Sequence, residues 1–590
     1  MHHSRIWTSV VIAICPAACA TAPSPPAEPM PLTYDEFKAL AYHEPGTEHY
    51  VVDGDELVIG EAGLRAYYDD YLRALSDTAT PGVSKTTQAL TIKTEEFPGL
   101  RIEVRWDRRH ASELTYCVDP TTLGDRYQDV VHAMDVAAAD WERVAAVNFI
   151  HLADHDANCT DTTDGVVFNV RQGTAFEASQ GSTGQSPQAG TIARSFYPDT
   201  VMRADRHLLL FQYSYGPISL AGILRHELGH TMGFRHEQIR TEAGATGDCK
   251  DPVFPNVGYE GITPYDVDSV MHYRWCTAWN VPDWVLSDLD KKGARSYYPR
   301  VSGIVWRDAT GYTEVWNDAD SNWTTSFGTR DNNWKLQAIG DFDGNGRSDL
   351  VWRAMSGPQD GRIEIWPDGN EADSRFIGAL DHGWLLRSIG DFDGDGASDM
   401  LWRSVNGDNV IWYGAQPPGL WIGPLDNSWD VGAIGDFDGD GTSDILWRSV
   451  NGDNVIWYGA QPPGLWITRF EPNWQVAGAG DFDGDGFSDI LWRCMPRAPD
   501  TLCSNDVPAG RIAIWHGADE AHSTYPGADA LDPGYWQIQG VGDFDGNGQS
   551  DILWRNADGV TEIWKNGEED VLSSGEQDNT WEIQGIGSFK

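Results

Sequence analysis

The segment LWRSVNGDNVIWYGAQPPGLWI runs from Leu401 to Ile422 and recurs unchanged from Leu446 to Ile467, 45 residues further on. That period suits one four-stranded blade of a β-propeller. Just upstream of each copy lies an acidic run. GDFDGNGRSDLVWR starts at Gly340 and GDFDGDGASDMLWR at Gly390, with similar runs from Gly435, Gly480 and Gly542. The array opens with GIVWRDATGYTEVW, which lacks the acidic loop, and closes with WEIQGIGSFK, which lacks the remainder of a unit. Five complete motifs and one divided between the two ends predict six blades, with the last strand closing the ring beside the first. A closed ring leaves no exposed sheet edge. An open stack, or a seven-bladed ring with one degenerate unit, is the alternative. Of the 27 tryptophans, 21 fall after Val301. Those in LWR and IWYG alternate with apolar residues and read as core, whereas Trp421 and Trp466, after QPPGL, read as loop residues able to stack on sugar rings.

Each acidic run offers oxygen ligands at alternate positions, with glycines that let the loop wrap tightly. The sets are Asp341, Asp343, Asn345 and Asp349; Asp391, Asp393, Asp395 and Asp399; and Asp436, Asp438, Asp440 and Asp444. Two more lie further on: Asp481, Asp483, Asp485 and Asp489; and Asp543, Asp545, Asn547 and Asp551. Hard oxygen donors at this spacing favour Ca²⁺. The pattern DxDGxGxSD resembles the FG-GAP repeats of integrin α-subunits and bacterial surface proteins. That resemblance implies a propeller with several calcium ions at its blade loops. The distal Glu and flanking helices of an EF-hand are missing.

Upstream, SLAGILRHELGHTMGFRHEQIR spans Ser219 to Arg240. Leu220, Ile223, Leu224 and Leu228 recur at helical intervals, which sets His226 and His230 one turn apart on one face. Two imidazoles so placed can share one metal ion. Gly233 permits a sharp, left-handed exit from the helix that brings His236 back to the same point. Three neutral nitrogens leave one open position on a Zn²⁺, the mark of a catalytic site. Glu227 then stands where a carboxylate could take a proton from a metal-activated water.

The stretch HELGHTMGFRHEQIR resembles the zinc motif of the astacin family of metzincins. Downstream, YDVDSVMHYRW from Tyr265 resembles their Met-turn. The resemblance implies that Met271 packs beneath the zinc, that Tyr273 is a switchable fifth ligand that stabilises the tetrahedral intermediate, and that Glu237 anchors a processed N-terminus. AAADWERVAAVNFI and LSDLDKKGARSYYP resemble the first long helix and the closing helix of such domains. Two features depart from the pattern. TEAGATGD replaces the acidic DRD expected after the motif, and Gly229 is more typical of the related matrixins, so the metzincin reading stands above the astacin one. YVVDGDELV from Tyr50 resembles an astacin pro-segment in which Asp55 would occupy the zinc's water position; a plain Gly-Asp turn is the alternative. The absence of cysteine between Cys19 and Cys117 excludes a cysteine switch.

The start of the chain has a basic end, an apolar run from Ile6 to Ile14 and small residues at Ala17 and Ala18, as in an export signal. Cys19 could instead accept a lipid, although Pro16 stands where Leu is usual. The six remaining cysteines suit an oxidising compartment. Their order suggests Cys117 with Cys159, Cys249 with Cys276 and Cys494 with Cys503, other connectivities staying open. With 42 Lys and Arg against 89 Asp and Glu the net charge is -47, which argues against nucleic acid or an anionic membrane as partner. No transmembrane segment is evident.

Taken together, residues 1–22 are expected to be a signal peptide, 23–95 a linker and pro-region, 96–300 an α+β metzincin protease domain, and 301–590 an all-β propeller. The expected function is a secreted zinc endopeptidase acting on protein or peptide, with the propeller directing it to a substrate, carbohydrate or cell-surface ligand. A calcium-dependent adhesion protein and a zinc amidase of cell-wall peptides are the competing readings.

Overall fold

Alternating apolar residues and frequent glycine turns after Val301 fold into six four-stranded antiparallel sheets. The computed structural model describes residues 33–43, 48–52, 56–77, 90–97, 100–173, 192–239, 259–273, 283–495, 502–503, 507–527 and 531–590. The export segment with Cys19, Asp55, Cys249 and Cys276 lie outside the described residues.

In the third blade the strands Trp384–Gly390, Asp399–Ser404, Asp408–Trp412 and Leu420–Pro424 follow one another in order. The first blade is composite. Gly303–Asp308, Tyr312–Trp316 and Thr324–Thr329 are completed by the last strand, Trp581–Gly587, which pairs Gly303 with Gly587 and Asp308 with Trp581. The ring is therefore closed at six blades, as the divided repeat unit predicts.

The second strand of each blade is the most buried, and its tryptophan is fully covered: Trp306, Trp352, Trp402, Trp447, Trp492 and Trp554. Removing about 200 Å² of each from water favours folding by roughly 5 kcal/mol before entropic costs. The arginine after each tryptophan bolts neighbouring blades together. Arg307 lies over Trp352, Arg353 over Trp402, Arg403 over Trp447, Arg448 over Trp492, Arg493 over Trp554 and Arg555 over Trp306, at 4.7–5.6 Å. The ladder closes on itself. Each guanidinium also satisfies carbonyls where the next blade starts, such as Arg403 to the oxygens of Leu425 and Trp429 at 2.8 and 3.0 Å.

Ahead of the propeller, a five-stranded sheet runs Phe149–His151, Leu114–Val118, Phe168–Gln172, His207–Leu210 and Ala193–Arg194. The first four strands are parallel and Ala193–Arg194 is an antiparallel edge. Helix Tyr127–Glu142 buries Val130, Ala133, Met134, Ala137, Ala138 and Trp141, a stripe of helical period, against helix Leu220–Thr231. A second sheet joins Thr91–Phe97 to Phe234–Arg235 and Tyr259–Gly261, so residues on both sides of position 96 share it. The smaller N-terminal unit, with helix Gly60–Asp77, reaches this region through Arg235 donating to Tyr67 Oη at 2.6 Å. Disulfides Cys117–Cys159 and Cys494–Cys503 are formed, as chain order predicts.

Candidate zinc centre and acidic loops

Helix Leu220–Thr231 starts where Ser219 Oγ accepts from Gly222 N at 3.0 Å, and it is buried from Gly222 to Thr231. It ends at Gly233, whose φ of 98° is left-handed and whose missing Cβ would stand 2.2 Å from the Val104 carbonyl oxygen. Both conformation and space require glycine there. The turn returns His236 to the helix, and the ligand atoms of His226, His230 and His236 lie within 4.8 Å of one another, all buried. Nε2 of His226 and Nε2 of His236 are 3.3 Å apart. Two nitrogens at about 2.05 Å from one tetrahedral zinc stand about 3.3 Å apart, so the pair fits that ion.

The far side of two rings is fixed. Nδ1 of His226 donates to the Val270 carbonyl oxygen and Nδ1 of His230 to that of Phe234, each at 2.8 Å. These bonds assign the proton to Nδ1 and leave Nε2 as the lone-pair donor facing the centre. Trp284 stacks on His226 with centroids 4.5 Å apart. Glu227, beside the first ligand, is buried with them.

Met271 is fully buried against the helix, where a Cβ on Gly229 would meet its Sδ at 2.4 Å. Gly229 is thus the space the Met-turn needs. The turn itself is pinned by Asp290, from helix Asp288–Tyr297, whose oxygens accept from Ser269 Oγ at 2.6 Å and Val270 N at 2.7 Å. Burial pushes the Asp290 carboxyl up to about 6, against the lowering effect of these bonds. Neither Asp290 nor Trp284 is evident from sequence; the only signal for Asp290 is the capping box it forms with Ser287. The Tyr273 ring lies 4.4 Å from that of His236 and 5.9 Å from that of His226. Glu237 is buried, accepting from Thr91 Oγ1 and Asp266 N at 3.0 Å each.

In the acidic loops the structure gathers the first, second and fourth ligand of three sets: Asp341, Asp343 and Asp349; Asp391, Asp393 and Asp399; Asp436, Asp438 and Asp444. The third residue of every set turns one oxygen to its own loop. Asn345, Asp395, Asp440, Asp485 and Asn547 each accept from the N–H two residues on, at 2.7–2.9 Å. Burial, reinforced by neighbouring carboxylates, raises Asp349 to about 7 and Asp399, Asp444 and Asp551 to about 6. A divalent cation is the partner such clustered carboxylates fit. In the fifth blade the sequence reading misses an imidazole: His516 Nδ1 lies 3.1 Å from Asp489 Oδ2 and 3.3 Å from Asp483 Oδ2. Trp421 and Trp466 sit on the outermost strands Leu420–Pro424 and Leu465–Arg469 rather than on loops, and are 59% and 58% exposed.

Among the described residues no helix is long and apolar enough to cross a membrane. No curated protein matches the chain. Among solved structures, one titled "Crystal Structure of Mitotic Checkpoint Complex" is 10% identical, covering 44% of this chain and 82% of that one at a TM-score of 0.29. The computationally designed Ika8 protein is 13% identical, covering 47% and 85% at 0.24. BBS1N in complex with ARL6DN is 13% identical, covering 48% and 85% at 0.28. These likenesses are too slight to bear on function. Residues 105–243 match the family model of the matrixins, and residues 436–492 match that of the FG-GAP-like repeat. The chain thus carries a region similar to the matrixins, followed by a six-bladed propeller in which one stretch is similar to the FG-GAP-like repeat.

Proposed function

We propose that the protein is an exported zinc endopeptidase, made with a signal peptide at 1–22 and a pro-region to about 95, whose propeller binds calcium and directs the protease domain of residues 96–300 to its target. The observation that carries the reading is the pair of Nε2 atoms 3.3 Å apart, with Nδ1 of His226 tied to a carbonyl oxygen. Zinc bound there would acidify a water molecule and polarise the scissile carbonyl. Glu227 takes the water's proton and delivers it to the departing nitrogen. Tyr273, whose ring lies 4.4 Å from that of His236, would donate a hydrogen bond to the oxygen that gains charge as the carbonyl carbon becomes tetrahedral, the role the resemblance to astacins suggests. Glu237, held by Thr91 and Asp266, ties the segment after His236 to the Met-turn side of the site. Asp55 as a latency residue rests on the resemblance alone.

The test is hydrolysis of a peptide library by the full chain beside Glu227→Gln. The variant should keep its zinc and lose about 10²–10⁴-fold in rate. Equal rates would refute the role of Glu227, and no cleavage by either protein would refute the endopeptidase reading.

A second activity of the same protein is supported by the groove of about 580 Å³ between the fourth and fifth blades, lined by Tyr458, Trp466, Thr468, Asp519 and Glu520. An exposed indole face beside carboxylates and a hydroxyl suits a neutral or cationic sugar, with Trp421 offering the same face one blade earlier. Binding of uncharged oligosaccharides lost in Trp466→Ala would support this role; unchanged binding, or none in the parent, would remove it.

A further inference from the structure

The five acidic loops are of two kinds. Loops 391–399, 436–444 and 481–489 carry aspartate at the third position; a Cβ on their first glycine would meet only the next blade, at Thr442, Phe487 or Gln549, and one on their second glycine, Gly396, Gly441 or Gly486, would meet nothing within 4 Å. Loops 341–349 and 543–551 carry Asn345 and Asn547 instead, and both press on the zinc domain or on the segment leading out of it. A Cβ on Gly346 would fall 1.8 Å from Arg300 Nη2, and Arg300 donates to the Glu142 carbonyl oxygen. In loop 543–551 the contact comes at the first glycine instead: a Cβ on Gly546 would fall 2.4 Å from Arg108 Nη2, which donates to the Asp545 carbonyl oxygen at 2.9 Å, while Gly548 meets nothing within 4 Å.

Charge complementarity completes the joint. Arg108 and Arg109 of the zinc domain reach Asp318 and Asp320 of the first blade at 3.1 Å each. In the other direction, Arg347 donates to Asn148 Oδ1 at 3.2 Å and lies 3.9 Å from Glu142. Ala397, Thr442, Phe487 and Gln549 stand at that position in the other loops, so this arginine belongs to loop 341–349 alone. The asparagines fit the same division. Asn345 Nδ2 donates to Asp368 at 2.9 Å and Asn547 Nδ2 to Asn566 at 2.7 Å, where the open loops have Gly414, Gly459 and Gly517. An aspartate at 345 would repel Asp368, which also holds Arg347 at 2.8 Å. The first blade, between the two docked loops, has Ser588 and Gly303 where the others carry the first and last aspartates, and Ser302 N closes on the Asp543 carbonyl oxygen at 2.7 Å.

We propose that blades six, one and two form a seat for the zinc domain, and that calcium in loops 341–349 and 543–551 fastens it. The inference rests on the calcium reading of these loops. The ion offsets the repulsion of each carboxylate set and so fixes the loop backbone that Arg108 and Arg300 contact and that carries Arg347. The three open loops hold their ions for the propeller alone.

The test compares the full chain in constant zinc and calcium with two double variants, Asp343→Ala with Asp545→Ala and Asp393→Ala with Asp438→Ala. Hydrogen exchange is read at residues 107–111 and 142–149, and calcium stoichiometry beside it. The docked-loop pair should lose two ions and raise exchange at both segments tenfold or more, while the open-loop pair loses two ions with exchange unchanged. Arg108→Ala with Arg347→Ala should raise exchange equally with all ions retained, which separates the joint from misfolding. Equal exchange in the two calcium variants, or lost ions with unchanged exchange at the joint, overturns this inference alone. A parent chain that binds no calcium overturns the calcium reading and this inference with it.

Discussion

A methyl group at residue 229 would stand 2.4 Å from Met271 Sδ and 3.4 Å from the Trp141 ring. Neither neighbour is a flexible surface group, so Gly229→Ala should destabilise the zinc domain by about 1–3 kcal/mol, measured as the urea midpoint, and should loosen zinc in the same protein. Asp290 makes a pH prediction at the same scale. Its carboxyl is held at about 6 when folded, against about 3.9 unfolded, so the folded chain keeps a proton that the unfolded chain loses between these values. That contribution is fully present below about 3.9 and is lost as pH rises through about 6, amounting to about 3 kcal/mol at most. In metal-free buffer the stability of the parent relative to Asp290→Asn should therefore grow as pH falls from 7 to 4. A constant difference would show that Asp290 does not take up the proton.

The blades lean on the tryptophan–arginine pair. Arg403 is buried, lies over Trp447 of the next blade, and donates to the oxygens of Leu425 and Trp429. Arg403→Leu would strand those carbonyls and remove the cation from the ring, a loss of about 2–4 kcal/mol in propeller unfolding; Arg387→Leu, on the exposed side, should cost less than about 0.5 kcal/mol. The ladder was hidden in a sequence that displays its tryptophans openly. Alternation marks Trp402 as core because its strand alone decides that, whereas the ring under Arg403 belongs to a blade 45 residues on. The six-blade closure was legible because the unit that opens without an acidic loop and the one that closes without the rest complete each other. Trp421 and Trp466 were misplaced on loops because QPPG reads as a turn, and the outer strand begins immediately after it.

At the scale of the molecule, the convergence of His226, His230 and His236 was legible because an i, i+4 spacing and one left-handed glycine fix it locally. Trp284 and Asp290 were not, since they arrive from segments whose approach only the tertiary fold decides. The Cys117–Cys159 bridge ties strand Leu114–Val118 to the segment after Phe149–His151, closing 42 residues. Its loss in Cys117→Ser with Cys159→Ser should cost roughly 4 kcal/mol by chain entropy, seen as a lowered melting temperature of the zinc domain with the propeller transition in place. The proposed peptidase function requires His226, His230 and His236 to converge on one ion with a position left open. X-ray absorption at the zinc edge of the purified full chain tests this most directly. Three nitrogens and one oxygen at about 2.0–2.1 Å are predicted, with one nitrogen lost in His236→Ala; sulfur in the shell, four nitrogens, or a spectrum unchanged by that substitution would contradict it.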